Sequence, residues 1–191
     1  MTDLRAAEWV ELWLFWLLSI VTVSLAAYLV RQPARPIGMR INRHAGWRSS
    51  PEIMLLTLGL PLESLWEIAQ FPLYEVWHEN NWSYILYGLV HCTLGDLLIL
   101  LATYELVALA ASGRDWYLRH PVSGGALFTL LRLGYTIYSE YYNVRIQSTW
   151  GYTEHMPIVP GIEIGGTPFL QWLLIPFVLV SLMRLLRGNR P

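Results

Sequence analysis

Five carboxyl groups lie within long apolar stretches of this sequence, and they are the side chains best placed to do chemistry. The five are Glu63, Glu67, Asp96, Glu105 and Glu140. Arg132 is the basic residue set deep within the same stretches. An ionised carboxylate without a partner is costly there, so the group takes up a proton, pairs with a cation or binds a ligand. One Arg neutralises one or two of the five, which leaves protons, water, a metal ion or a cationic substrate for the rest.

Glu63 and Glu67 are one helical turn apart, the spacing at which two side chains share a helix face. Depths calculated at about 1.5 Å of rise per residue place them at the level of His91 and Glu140. Two neighbouring carboxyls in a low-dielectric site hold different protonation states, as a general acid and a general base must. The sequence therefore predicts a catalytic set of Glu63, Glu67, His91 and Glu140. The same four residues are the alternative ligands of a divalent metal ion, which carboxylate and imidazole groups suit.

Other polar residues of the stretches predict supporting roles. Asp96 and Arg132 lie at similar depths and predict a buried structural ion pair that fixes helix register. Glu105 is placed to reach the inner headgroups. The residues expected to line a substrate site belong to the polar stripes or to the adjoining outer loop: Trp66, Gln70, Tyr87, Asn143, Trp150 and His155. For these residues, packing, a place at the membrane interface or a surface position is the competing interpretation.

Helices long enough to cross a bilayer must position these side chains, and a crossing takes about 20 residues. Five stretches qualify: about 11–30, 53–73, 84–111, 126–144 and 169–186. Ser50 and Pro51 predict an N-cap followed by proline in the first turn of the second helix. The sequence thus predicts an all-α, polytopic integral membrane protein, a bundle of five transmembrane helices in a single membrane domain, 1–191.

The arginines indicate the orientation of this bundle. Ten of the thirteen basic residues, all of them Arg, fall in three clusters, at 31–48, 114–119 and 184–190. Short cytoplasmic loops retain basic residues, and five crossings place all three clusters on one side. The N-terminus is therefore expected outside and the C-terminus in the cytoplasm. The outer loop 145–168 is rich in Pro and Gly, and it predicts either a lid over the bundle or an ordinary interfacial connection.

Composition agrees with a membrane protein and narrows the choice of function. Hydrophobic residues make up 54% of the chain and charged residues 14%, against roughly 25% charged in a soluble domain. A single cysteine, Cys92, excludes a Cys-x-x-Cys redox centre. A haem is not expected, because only His91 lies within a predicted crossing, and a nucleotide is not expected, because no Walker A sequence occurs. Membrane lipid is the expected partner, and nucleic acid is not.

Three functions remain open on these observations. The first is an intramembrane enzyme that uses carboxylate and histidine acid–base or metal chemistry on a lipid or isoprenoid-like substrate. The second is a non-catalytic subunit or assembly factor that binds other membrane proteins or itself, and the third is a small proton- or cation-coupled carrier. The all-Arg composition and compact loops favour the bacterial inner membrane as its location. In its chemistry the set of acids with one histidine resembles the emopamil-binding proteins, whose acidic side chains move protons on a lipid double bond.

Overall fold

The computed structural model describes residues 50–188, and this part of the chain is all-helical, with no β-strand. Its α-helices, in chain order, are α1 (Pro51–Gln70), α2 (Glu75–Glu79), α3 (Trp82–Ala110), α4 (Trp116–Arg119), α5 (Pro121–Tyr141) and α6 (Gly166–Gly188). A 3₁₀ turn, Phe71–Leu73, continues α1, and a π-helical turn, Tyr142–Gln147, continues α5. The predicted helix 11–30 and part of the predicted single domain 1–191 lie outside the described residues.

Side-chain caps fix where the long helices begin. Ser50 is extended, and its hydroxyl accepts a hydrogen bond from the Ile53 amide at 3.3 Å, with Pro51 at the first helical position. The cap predicted from the Ser-Pro pair is thereby confirmed. At α3 the side chain of Asn81 accepts from the Tyr84 amide at 3.0 Å. Each cap satisfies one of the amides that a helix N-terminus leaves without a partner.

The four long helices pack around a common interior. Helix α1 contacts α3 and α6, and α5 contacts α6 and α3. Glycine allows the closest approaches: a Cβ on Gly59 would lie 2.5 Å from the side chain of Leu100, and one on Gly124 would lie 2.5 Å from the Trp116 ring. At the end of the bundle formed by α4, buried aromatic rings close the interior. They are Tyr104, Trp116, Tyr117 and Phe128.

Two helices of the described part are long and apolar enough to cross a membrane, Trp82–Ala110 and Gly166–Arg187. Only 17% of the apolar window of α3 and 39% of that of α6 is buried in the protein. A core helix of a soluble protein would be mostly buried, so the exposed apolar surface supports a membrane location. These two helices correspond to the predicted crossings 84–111 and 169–186.

Helices α1 and α5 form where two further crossings were predicted, at 53–73 and 126–144, but they do not qualify by the same criteria of length and composition. Both carry buried charged residues, Glu63 and Glu67 in α1 and Arg132 and Glu140 in α5, and these lower the hydropathy. The predicted number of crossings and the orientation of the termini are therefore not established by the helices themselves.

The segment between the π-helical turn and α6 is tied down at the end of α1. The Thr153 amide donates to the Leu73 carbonyl at 3.0 Å, and the Glu75 amide donates to the Gly151 carbonyl at 3.0 Å. Further along, the Val159 amide donates to the Ile164 carbonyl at 2.9 Å. Positive φ angles at Ser148, Glu163 and Gly161 turn the chain back on itself. This segment is the outer loop of the sequence prediction, and it lies against the α1–α2 connection.

Candidate functional site: a buried carboxyl cluster

Four long helices each contribute polar side chains to one buried group, here called the carboxyl cluster. Its members are Glu63 and Glu67 of α1, Asp96 of α3, Arg132 of α5 and Gln171 of α6. Their side chains are fully buried except for Asp96, which is partly buried. The i, i+4 spacing of the two glutamates puts both on the interior face of α1. Gln70, one turn further on, is buried beside them.

The side-chain amide of Gln171 lies at the centre of the cluster. Its nitrogen is 3.0 Å from a carboxyl oxygen of Glu63, 3.1 Å from one of Glu67 and 3.0 Å from one of Asp96. Its oxygen accepts from Gln70 Nε2 at 3.0 Å, and Gln70 also donates to Glu67 at 2.7 Å. An amide nitrogen has two hydrogens, so it cannot donate fully to three carboxylates at once. At least one of the three contacts is therefore weaker than a full hydrogen bond.

Arg132 supplies the positive charge of the cluster. Its Nη2 donates to Glu63 Oε1 at 2.6 Å, and neither side chain is exposed. The indole ring of Trp172 lies against the guanidinium, with 4.0 Å from Cζ to the ring centroid, and Phe128 lies 5.5 Å away. A charge-assisted hydrogen bond and two aromatic faces thus compensate for part of the lost hydration of the cation.

Glu67 and Asp96 are neighbours in the cluster, because their carboxyl oxygens lie 3.1 and 3.0 Å from the same nitrogen of Gln171. Two ionised carboxylates this close together repel each other, and both are acceptors alone. A proton on one of them would remove this repulsion and let that group donate to the other. Asp96 is the member of the cluster whose side chain is partly exposed.

Glu140 belongs to a second, adjoining group. The Tyr152 hydroxyl donates to one of its oxygens and the Tyr74 hydroxyl donates to the other at 3.5 Å, while the Gly165 amide donates to the Tyr152 oxygen at 2.9 Å. Burial first, and then the charge of Glu140, raises the pKa of Tyr152 well above its usual range. Tyr152 thus stays a neutral donor that fastens the loop to α5.

His91 lies on a different side of α3 from the carboxyl cluster. Its ring stacks on Tyr87, with 5.5 Å between the centroids, and Tyr87 is more than half exposed. Nine residues separate Tyr87 from Asp96, which is about two and a half helical turns, so the two point in opposite directions. Four residues were predicted to be catalytic. Glu63 and Glu67 are joined through Gln171. Glu140 accepts instead from Tyr152 of the loop, and His91 stacks on Tyr87.

The residues predicted to contact substrate are spread over five places. Trp66 and Gln70 adjoin the cluster, because the Trp66 indole donates to Gln70 Oε1 and to the Thr167 carbonyl, both at 3.2 Å. Trp150 packs edge-on against Tyr74 near Glu140, at 6.5 Å between the ring centroids. The others lie elsewhere: Tyr87 with His91, Asn143 donating to the Ser139 carbonyl at 2.9 Å, and His155 exposed beside Glu154.

The ion pairs differ from those expected. Arg132 pairs with Glu63, whereas Asp96 accepts from Gln171. Depths taken from the helical rise locate the backbone alone, whereas the guanidinium at the end of the long Arg132 side chain lies 2.6 Å from Glu63. Glu105 also has a protein partner, since Arg114 Nε lies 3.4 Å from it and 3.1 Å from Glu52. This second pairing ties the end of α3 to the start of α1.

No group of three or more His, Cys, Asp and Glu side chains in residues 50–188 is arranged to hold a metal ion. The alternative prediction required the carboxylates of Glu63, Glu67 and Glu140 to meet the imidazole of His91. The first two carboxylates face Gln171 instead, Glu140 faces Tyr152, and His91 stacks on Tyr87. The carboxyls of the cluster are thus held together by amide donors and by one guanidinium.

Two residues of this region were not among the site residues predicted from the sequence. Gln171 is a lone amide in a very apolar stretch, and the predicted fifth helix has the composition of a scaffold. Tyr152 is one of many aromatic residues in and around the outer loop. The one signal for Gln171 was its type, since a strongly polar side chain inside a crossing helix needs a polar partner on another helix.

Comparison with family models, with curated proteins and with solved structures gives no match for this chain.

Proposed function

We propose that this chain is a multi-pass membrane enzyme that transfers protons to and from a lipid or isoprenoid-like substrate at the carboxyl cluster. One observation carries the proposal. The carboxyls of Glu63, Glu67 and Asp96 converge on the single amide of Gln171, and Arg132 is the cation paired within the group. A purely structural network would be expected to balance its charges, because unbalanced buried carboxylates cost free energy.

The charge of the cluster requires bound protons. Three ionised carboxyls and one guanidinium would leave two uncompensated negative charges, and a proton shared by the neighbouring Glu67 and Asp96 would remove one of them. The ion pair with Arg132 favours the ionised form of Glu63. Coupled acids of this kind exchange protons as a group rather than one by one. The cluster thus contains both a proton donor and a proton acceptor.

Distinct roles follow from the positions of the three acids. Asp96, partly exposed, is the residue that exchanges a proton with the substrate. Glu67 shares that proton and replenishes it, while Glu63 with Arg132 supplies fixed charges that stabilise developing charge on the substrate. Gln171 is a positioning residue that holds the three carboxyls together.

The surroundings support an apolar substrate. Large apolar side chains are exposed on α3 and α6, the helices that carry Asp96 and Gln171, and among them are Leu94, Leu173 and Phe177. A molecule dissolved in the bilayer reaches such a surface without crossing water. Proton transfer at a carbon atom of an apolar molecule needs a low-dielectric site of this kind, in which carboxyl groups are partly protonated.

Deuterium incorporation tests the proposal and does not require the substrate to be identified. Full-length protein in nanodiscs is incubated in heavy water with a total lipid extract, and the lipids are examined by mass spectrometry for deuterium on carbon. We expect incorporation by the unaltered protein and a loss of about a hundredfold or more in Glu67→Gln and Asp96→Asn. Asp115→Asn, at the exposed pair with Arg119, is the matched control and should keep full activity. Incorporation that is equal in all four proteins would contradict the proposal.

The proposed enzyme crosses the bacterial inner membrane five times, with its N-terminus outside and its C-terminus in the cytoplasm. This topology agrees with the three arginine clusters and with the two helices that can span a membrane. Cysteines introduced in a Cys92→Ala background test it. An impermeant maleimide should label a cysteine at Glu154 in intact cells and one at Ser112 only after the membrane is opened. Labelling of both positions in intact cells would exclude this topology.

A further inference from the structure

Three buried donor groups of α5 have no hydrogen-bond partner within residues 50–188. They are Nε and Nη1 of Arg132 and the hydroxyl of Thr136. Arg132 is fully buried and Thr136 is 4% exposed. Buried donors without partners are rare in folded proteins because each costs free energy. Such groups are satisfied by an ordered water or by an acceptor that a ligand brings in.

Thr136 differs from two other helical threonines of the chain. The hydroxyl of Thr57 donates to the carbonyl of Ile53 at 2.7 Å, and that of Thr103 donates to the carbonyl of Ile99 at 2.6 Å. This bond to the preceding turn is the usual way a threonine in a helix satisfies its hydroxyl. Thr136 does not form it, so its hydroxyl is available for another partner.

The three donors belong to one face of α5. Arg132 and Thr136 are four residues apart, so their side chains share the interior face of this helix. Trp172 and Phe128 lie by the guanidinium. A guanidinium donates only within its own plane, and Nε–H and Nη1–H lie on different edges of that plane, so one acceptor bonds to one of them and not to both. An oxygen atom between one of these donors and the Thr136 hydroxyl would bond to both groups, and this position is the candidate site.

We propose that this site binds a single uncharged oxygen, a hydroxyl or carbonyl group, at the polar end of the lipid substrate. The inference rests on the proposed function, because it assigns the substrate of the same carboxyl cluster. An uncharged oxygen fits because Arg132 already pairs with Glu63, and Glu67 and Asp96 stand close by. A phosphate or carboxylate would add negative charge to a group already short of positive charge. The threonine hydroxyl both donates and accepts, which suits an alcohol.

Binding of long-chain probes tests the site directly. Full-length protein in nanodiscs is titrated with hexadecanol, hexadecane and hexadecanoate, each in competition with a photoreactive hexadecanol whose crosslinks are mapped by mass spectrometry. We expect hexadecanol to compete best and the crosslinks to fall on α5 and α6 near Thr136 and Trp172. Thr136→Val, which keeps the shape and removes the hydroxyl, should weaken hexadecanol binding about fivefold to tenfold.

Two further variants separate this effect from a change of fold. Thr136→Ser keeps a hydroxyl and should bind like the unaltered protein. Thr103→Val removes a buried hydroxyl that bonds only within its own helix, and it should also leave binding unchanged. Loss of binding in all three variants would mean that the effect is structural and would overturn the assignment.

Other outcomes would also overturn it. These are equal competition by hexadecane, tighter binding of hexadecanoate, an unchanged affinity in Thr136→Val, or a high-resolution map in which hexadecanol fails to displace an ordered water at Arg132. The result is separable from the proposed reaction, because binding is measured without turnover. If Glu67→Gln keeps deuterium incorporation while Thr136→Val still loses hexadecanol, the proton-transfer proposal fails and the oxygen site stands.

Discussion

Glu63 of α1 and Arg132 of α5 form an ion pair that is completely removed from solvent, with 2.6 Å between Oε1 and Nη2. The pair joins two helices that are distant in sequence, and Gln171 bonds to its carboxylate from a third. A pair of this kind contributes little net stability when intact, yet removal of one partner leaves a buried charge that nothing compensates. We therefore expect its structural effect to be mainly to fix which faces of α1 and α5 meet.

Replacement of one member of this pair should be costly. We expect Arg132→Met to lower the free energy of unfolding by about 3–5 kcal/mol, because Glu63 is then buried without its cation. The double variant Glu63→Leu with Arg132→Met should recover most of the loss, since it removes both charges. Unfolding in mixed detergent micelles measures both values, and Arg119→Gln, which breaks an exposed pair, should change stability by less than about 1 kcal/mol. A double variant no more stable than Arg132→Met would contradict this account.

The position of Gln171 leads to a second prediction. Gln171→Leu removes the donor that three carboxyls share, so we expect a loss of about 1–3 kcal/mol in the free energy of unfolding and a fall in deuterium incorporation. Gln147→Leu is the control, because Gln147 bonds only to Tyr142 near the surface, at 2.7 Å. If Gln171→Leu matches the unaltered protein in both measurements, Gln171 does not position the acids.

The hydroxyl of Tyr152 should hold the outer loop in place. Tyr152→Phe removes the donor to Glu140 and the acceptor of the Gly165 amide, so hydrogen exchange at Gly165 should become faster. We expect the variant to lose about 1–3 kcal/mol of stability. Tyr138→Phe is the control, since Tyr138 is exposed and its ring stacks on Tyr142 without need of the hydroxyl. Unchanged exchange at Gly165 would show that the loop is held by other contacts.

The same tyrosine predicts a dependence on pH. Because its pKa is raised in the folded protein, the unfolded chain loses the Tyr152 proton first, at a pH of about 10. The contribution of Tyr152 to stability is therefore complete below that pH and is lost as the pH rises above it. In Tyr152→Phe this component should be absent, so stability should fall less steeply from about pH 10 upward. Parallel curves for the two proteins would exclude the assignment.

Two adjacent glycines of α5 should respond in opposite ways to alanine. A Cβ on Gly124 meets the buried Trp116 ring at 2.5 Å, whereas one on Gly125 meets nothing within 4 Å. We expect Gly124→Ala to cost about 1–3 kcal/mol through overpacking. Gly125→Ala should instead add up to about 1 kcal/mol, because alanine favours the helix. The melting temperatures of the two variants measure both effects. Equal melting temperatures would contradict the packing seen at Trp116.

The sequence by itself determined the helical class, the positions of the four long helices between residues 50 and 188, and the cap at Ser50. These follow from apolar length and from local capping chemistry, which do not depend on distant residues. It also identified Glu63, Glu67, Asp96 and Arg132 as unusual, because charge within an apolar stretch is visible in one dimension. The sequence also predicted which face of α1 points inward, because the polar residues of this helix repeat at helical spacing.

Only the tertiary structure decided which side chains meet. Helix α3 is apolar all round, so its pattern could not tell the face that carries Asp96 from the one that carries Tyr87 and His91. A count of residues gives only the depth of the backbone, so it did not predict that the long side chain of Arg132 pairs with Glu63. Gln171 gained its importance solely from the carboxyls that three-dimensional packing brings to it. Contacts between helices depend on all surfaces at once, and a single stretch of sequence does not contain that information.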